Sequence, residues 1–262
     1  MSRYAAMFAR NSGVFGAFVM LGDPGLEASA AILDALVEGG ADMIEFGIPF
    51  SDPIADGPVI QAAAARALAA GVRPADCFAL IRGFRERHSE VPIGILTYAN
   101  LVLARGADAF YRAAREAGAD SVLVADAPVG EAGPFVAAAR AWSVAPVLIA
   151  AANTPADRLR RIARLGKGYT YCVARPGVTG ADEEVRLDHG EMLAVLREAG
   201  APPPIFGFGI SRPAHVRAAL AAGAAGVISG SAIIERVARG EDVRGFIAAM
   251  KAAAFAEPVP ID

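Results

Sequence analysis

The sequence is poor in the residues that crosslink, coordinate metals or attract polyanions. Only two of its 262 residues are cysteine, Cys77 and Cys172, far apart and without CxxC or Cys/His spacing, so neither a disulfide framework nor a zinc site is expected. They read as reduced, buried thiols. Lysine is almost absent, with Lys167 and Lys251 the only two. Acids outnumber bases 28 to 25, for a formal charge of −3, so no broad positive field awaits nucleic acid or anionic lipid. An anionic ligand has to be held locally. The longest uncharged run, Ala218 to Ile234, is broken by Gly223, Gly226 and Gly230 and is too short for a convincing bilayer span. The opening MSRYAAMFARNSG meets basic and polar residues before a signal-like apolar run develops. A cytoplasmic chain with neither a membrane nor a nucleic-acid partner is the expectation. The three histidines, His88, His189 and His215, stand in polar helical or loop contexts and are read as surface residues.

What the chain does have is apolar residues, at 55%, arranged as short β-type runs alternating with longer alanine-rich helical runs. Eight strands are expected near Ala17–Leu21, Met43–Phe46, Ile93–Thr97, Ser121–Ala125, Pro146–Ile149, Tyr169–Val173, Pro204–Gly207 and Gly226–Ser229. Helical spacing covers Leu26–Glu38, Ala107–Glu116, Pro134–Ala141, Ala156–Leu165, Glu191–Glu198 and Pro213–Ala221. The phrases EGGADMIEF, EAGADSVLVAD and AAGAAGVISG each end a helix on glycine and turn at once into a strand, a joint that favours positive φ. Strands alternating with crossover helices mean a parallel sheet. Eight such units favour a closed (β/α)8 TIM barrel, a single domain over residues 1–262, with an open doubly wound sheet as the alternative.

Both folds gather ligands where the strands end. Glu45 lies near the end of the second strand, inside an apolar run, and the following loop carries a second acid, Asp56. Between residues 40 and 71 the only base is Arg66, so a local salt-bridge partner for Glu45 is hard to find. Three glycine-bearing turns, ARPGVTGAD, FGFGIS and VISGSAI, follow strands six, seven and eight. Barrels commonly hold a phosphate between the loops after strands seven and eight, at the N-terminus of a short helix. Gly209, Gly230 and Ser231 are placed for that.

Read in order, LGDPG at Leu21–Gly25, FGIPFSDPIADGPVIQ at Phe46–Gln61, LTYANL, SVLVADAPV, GYTYCVARPGVTG, GFGIS and ISGSAII resemble the α-subunit family of tryptophan synthase over nearly the whole chain. The resemblance implies retro-aldol cleavage of indole-3-glycerol phosphate to indole and glyceraldehyde 3-phosphate, without cofactor or metal. It implies a β-subunit partner that receives the indole, in an α2β2 assembly. By that match Glu45 serves as acid and base at indole C3 and the side-chain hydroxyl, Asp56 accepts the indole N–H, and Tyr171 and Tyr98 neighbour the reacting atoms. Phe18, Leu96, Leu123, Ala125, Phe208 and Ile228 would wall the ring pocket. Gly180, Gly209, Gly230 and Ser231 would hold phosphate, and Thr179 would order Asp56. Pro49, Asp52, Asn100 and Pro128 would face the partner.

The apolar surroundings of Glu45 should favour its protonated form, while Asp56 rides a loop and stays ionised. Met20, the Ala150–Ala152 run and Pro176 depart from the family's usual residues. Three other readings stay open. One is a barrel isomerase or aldolase of another sugar phosphate, which should show a Schiff-base lysine or a metal cluster. The others are a stand-alone lyase and a mainly regulatory subunit.

Overall fold

The computed structural model describes residues 1–173 and 189–255. Thr179, Gly180, Pro176 and the loop from Arg175 to Asp188 lie outside the described residues. In chain order the elements are α1 (Arg3–Arg10), β1 (Val14–Met20), α2 (Leu26–Glu38), β2 (Met43–Gly47), α3 (Pro58–Ala69), α4 (Pro74–Arg87), β3 (Ile93–Thr97), α5 (Ala99–Leu103), α6 (Ala107–Ala117) and β4 (Ser121–Val124). There follow α7 (Gly133–Ala141), β5 (Ala145–Ala151), α8 (Ala156–Leu165), β6 (Thr170–Val173), α9 (Gly190–Glu198), β7 (Pro204–Gly207), α10 (Pro213–Ala221), β8 (Gly226–Ser229), α11 (Ser231–Arg239) and α12 (Val243–Phe255). The strands pair in sequence order, all parallel, and β1 closes on β8 through Val14↔Gly226 to Ala17↔Ser229. The fold is a closed (β/α)8 barrel. The open sheet is excluded, because among the described residues every strand is paired on both sides.

All eight expected strands are present, with ends shifted by three residues at most. β1 starts earlier, at Val14, and β5 runs on to Ala151, so the alanine run at 150–152 begins inside a strand. The glycines ending α2, α6 and α10 do adopt positive φ, at +95° for Gly40, +92° for Gly118 and +99° for Gly223. The helical spacing read from the sequence did not pick out α1, α3, α4, α5 or α12.

Because each strand is covered on both faces, the sequence reads as continuous apolar runs, yet the period of two still divides it. Ile44, Phe46, Ile93, Ile95, Val122, Cys172, Phe206 and Val227 face the helices in one core. Phe18, Met43, Leu123, Val147, Tyr169, Tyr171, Ile205 and Ile228 fill the barrel interior, together with Tyr4 and Met7 from α1. Both cysteines are free and buried. Glycine at two inward positions makes room for tyrosine. A Cβ on Gly207 would collide with the Tyr171 hydroxyl, and one on Gly94 would stand 3.2 Å from Ser121 Oγ and 3.5 Å from the Tyr169 hydroxyl.

Two expectations about exposure fail. His189 is only 4% exposed: its Nε2 lies 3.1 Å from the Val173 carbonyl and its ring meets Phe206 edge-on at 4.9 Å. The polar neighbours in sequence hid the fact that the first residue before α9 folds back onto the end of β6. His88 and His215 are half-buried, the former with Nε2 2.7 Å from Asp34 Oδ1. Pro49, expected at a partner surface, is also buried, because the chain is still leaving β2 beneath the loop at that point.

Candidate active site

Glu45 points inward because Ile44 and Phe46, its neighbours on β2, pack outward. Its register partners are Phe18 on β1 and Gly94 on β3. The carboxyl group is 1% exposed, and Tyr169 donates its hydroxyl to Oε1 at 2.5 Å. Oε2 is buried with no hydrogen-bond partner among the described residues. Below this pair the Tyr4 and Tyr169 rings sit 5.4 Å apart, and the Tyr4 hydroxyl bonds Ser121 Oγ at 2.7 Å. Burial pushes Glu45 up to about 7; the Tyr169 hydrogen bond opposes this and the Asp56 charge adds to it. A carboxyl group poised there can both give and take a proton near neutrality.

Asp56 reaches the same end of the barrel from the loop between β2 and α3. That loop is tightly held. Asp56 N–H donates to the Pro53 carbonyl at 3.0 Å, Gln61 Nε2 donates to the Asp56 carbonyl at 2.7 Å, and Ala55 N–H donates to the Tyr98 hydroxyl at 3.3 Å. Tyr98 stacks on Phe50, with centroids 5.2 Å apart. Only 7% of Asp56 is exposed, and burial pushes its pKa up to about 6, while a hydrogen bond from Tyr98 pulls it down. The expectation of an ionised Asp56 therefore holds only above that value. Among the described residues neither acid forms a salt bridge.

The cavity beside the two acids is lined by Phe18, Asp56, Ile60, Leu96, Tyr171, Phe208, Gly209, Ile210, Ser211, Ile228, Gly230, Ser231, Ala232 and Glu235. One end is aromatic and aliphatic; the other is built of backbone. Phe208 and Gly209 both adopt left-handed conformations, at φ +68° and +77°, as the chain leaves β7. The N–H groups of Ile233 and Ile234 return to the Gly230 carbonyl. The amides of Ser231 and Ala232, in the first turn of α11, have no intrahelical acceptor and are free for an anion. Among the described residues no group of three or more His, Cys, Asp or Glu side chains could hold a metal ion.

Two buried carboxylates beside an apolar slot that ends on free amides suit an uncharged ring carrying a phosphorylated tail. The comparisons with known proteins agree. The family model for the tryptophan synthase alpha chain matches residues 4–257. This chain belongs to the tryptophan synthase alpha chain family. The alpha chain of Shewanella amazonensis is 54% identical, covering 97% of this chain and 100% of that protein, and that of Escherichia coli strain SMS-3-5 is 51% identical, covering 99% and 98%. A solved structure of Mycobacterium tuberculosis tryptophan synthase superposes with a TM-score of 0.88 at 29% identity, covering 98% of this chain and 99% of that one. As a tryptophan synthase alpha chain, this protein is a carbon–carbon lyase of tryptophan biosynthesis that cleaves indole-3-glycerol phosphate to indole and glyceraldehyde 3-phosphate, and the family implies a β-subunit partner.

Of the residues nominated from sequence, Phe18, Asp56, Leu96, Tyr171, Phe208, Gly209, Ile228, Gly230 and Ser231 share the cavity. Glu45 lies behind the wall, next to Phe18. Tyr98 braces the Asp56 loop, and Leu123 and Ala125 pack in or against the inner core without lining this cavity. Asp52, Asn100 and Pro128 are exposed. Sequence reasoning missed Ile60, Ile210, Ser211, Ala232, Glu235 and Tyr169. Tyr169 was within reach, since it stands two residues before Tyr171 and alternation puts both on the inner face.

Proposed function

We propose that Glu45 and Asp56 divide the work of the alpha reaction, a reading carried by a buried Glu45 whose Oε2 has no partner among the described residues and whose pKa burial pushes up to about 7. The protonated Glu45 gives its proton to indole C3, then as carboxylate takes the proton from the side-chain hydroxyl as the carbon–carbon bond breaks. Its proton inventory is unchanged at the end of the cycle. Asp56, ionised, accepts the ring N–H and stabilises the positive charge that develops on the ring. Tyr171 packs beside the reacting atoms and Phe18, Leu96, Phe208 and Ile228 hold the ring. The amides around Gly209, Gly230 and Ser231, with Gly180 from outside the described residues, hold the phosphate, and Thr179 supports Asp56.

The protein works as one domain over residues 1–262, in the cytoplasm, in an α2β2 assembly. Asp52, Asn100 and Pro128 face the β subunit, together with Ile54, which is 75% exposed in the same loop as Asp56. A Schiff-base sugar-phosphate enzyme is the weaker reading. Lys251 Nζ is tied to Asp42 Oδ2 at 2.5 Å, at the start of β2, and Lys167 precedes β6, so both stand at the end of the barrel opposite the acids.

Indole release from indole-3-glycerol phosphate, measured with and without a β subunit, tests this reading: no release in either arm overturns it, and unchanged release with no complex on sedimentation leaves a stand-alone lyase. Two further results are expected. Glycerol 3-phosphate should inhibit at least about a hundredfold more tightly than glycerol, the worth of two charge-assisted hydrogen bonds; equal inhibition constants would remove the phosphate site. Tyr169→Phe should move the high-pH limb of the kcat/KM profile upward, because the lost hydrogen bond is one that lowers the Glu45 pKa. A downward move would contradict that assignment.

A further inference from the structure

Among the described residues, the cavity that takes a phosphorylated ligand is lined by no lysine, arginine or histidine. Its ionisable side chains, apart from Tyr171, are two acids, Asp56 and Glu235. Asp56 has a part in the reaction proposed above, whereas Glu235 has none, and it stands where an acid is least expected. It lies on α11, whose first turn offers the free amides of Ser231 and Ala232 to an anion.

Helix geometry directs it there. Glu235 follows Ser231 by four residues and Ala232 by three, so the three share one face of α11, and a long helical side chain leans back toward the helix N-terminus. All three line the cavity. The bases of the same helix are engaged elsewhere: Arg236 stacks its guanidinium over the Phe246 ring at 4.0 Å and donates to the Ala232 carbonyl at 3.1 Å, while Arg239 lies 3.6 Å from Glu241. Arg239 also comes within 3.7 Å of Glu235 Oε2, but its side chain is 63% exposed, and so open an i,i+4 pair leaves most of the acid's charge unopposed.

We propose that Glu235 is a specificity-determining residue of the alpha reaction: its carboxylate opposes a doubly charged phosphate at the N-terminus of α11 and so limits how tightly phosphorylated substrate and product are held. This rests on the phosphate site proposed above and adds what restrains its grip. Free amides attract an anion only within the first turn of a helix, and the acid on the same face repels that anion from the following turn. The amides supply the binding; Glu235 sets its ceiling.

Glu235→Gln keeps the shape of the side chain and removes its charge. Inhibition of the full-length parent and variant by glycerol 3-phosphate, with indole as the uncharged control, would be measured at pH 8 in about 0.01 M and about 1 M sodium chloride, between which the screening length falls from about 30 Å to about 3 Å. Expected in low salt is a roughly three- to tenfold tighter inhibition of the variant by glycerol 3-phosphate, the scale of one exposed like-charge contact with a doubly charged group. The gain should shrink below about twofold in high salt, and indole should inhibit parent and variant equally. Equal glycerol 3-phosphate constants in low salt, or a gain that persists in high salt or extends to indole, would overturn the proposal. The double variant with Arg239→Gln should keep the gain; its loss would show that the single change acted only by freeing Arg239 for the anion, and the proposal would fail. If glycerol 3-phosphate inhibits the parent no better than glycerol does, the phosphate site itself is wrong and the proposal falls with it.

Discussion

Glu45→Gln should lower turnover of indole-3-glycerol phosphate by at least about 10²–10⁴-fold while making the protein more stable above pH 7. The first effect follows from chemistry: an amide of the same shape can neither protonate C3 nor take the hydroxyl proton. The second follows from the cost of burying a charge. Glu45 has a folded-state pKa raised from 4.5 to about 7 by desolvation. A raised pKa means that its contribution to stability is intact below the unfolded value and is lost as pH climbs through the folded one. The parent thus carries a penalty above pH 7 that the glutamine variant does not, on the order of 3 kcal/mol at most for a shift of this size. Melting temperatures at pH 5 and pH 8 would read it: the variant's advantage should be small at pH 5 and large at pH 8. A variant that turns over at parental speed, or that loses activity only by unfolding, would sink the assignment of Glu45.

Asp56→Asn should cost about 10²–10³-fold in turnover, the range seen when a single group that stabilises transition-state charge is removed. Asparagine keeps an acceptor for the ring N–H but not the negative charge, so binding of phosphorylated ligands should survive. Asp56→Glu should retain a trace of activity, since the charge remains at altered reach. The pH dependence separates the two acids. The proposed division of work needs Asp56 ionised and Glu45 protonated, and their values of about 6 and about 7 predict a narrow bell for kcat/KM in the isolated chain. Asp56→Asn should remove the acid-side limb and leave the other. A parental profile flat from pH 5 to 8 would contradict both assignments together.

Much of this was open to reading along the chain. Glycines at 40, 118 and 223 announced helix-to-strand joints because positive φ is cheap only without a side chain, and the structure gives each of them that φ. Eight αβ units were visible because strands buried on both faces need unbroken apolar runs. Glu45 stood out as a charge within such a run. Asp56, Gly209, Gly230 and Ser231 stood out through the motifs they sit in.

The sequence by itself determined the repeated αβ unit and the family, and it nominated the two acids, since these are carried by local spacing and by contiguous motifs. Only the tertiary structure decided whether the sheet closes, because closure depends on β1 meeting β8, with Val14 paired to Gly226, a residue 212 positions further along the chain. It also decided the chemistry's setting. Tyr169 reaches Glu45 from 124 positions away, Tyr98 supports the Asp56 loop from 43 away, and burial then lifts both carboxyl groups toward neutrality. No local reading could rank those pKa values or find His189 and Pro49 buried, because desolvation is a property of everything that surrounds a group, and most of what surrounds these groups is distant in sequence.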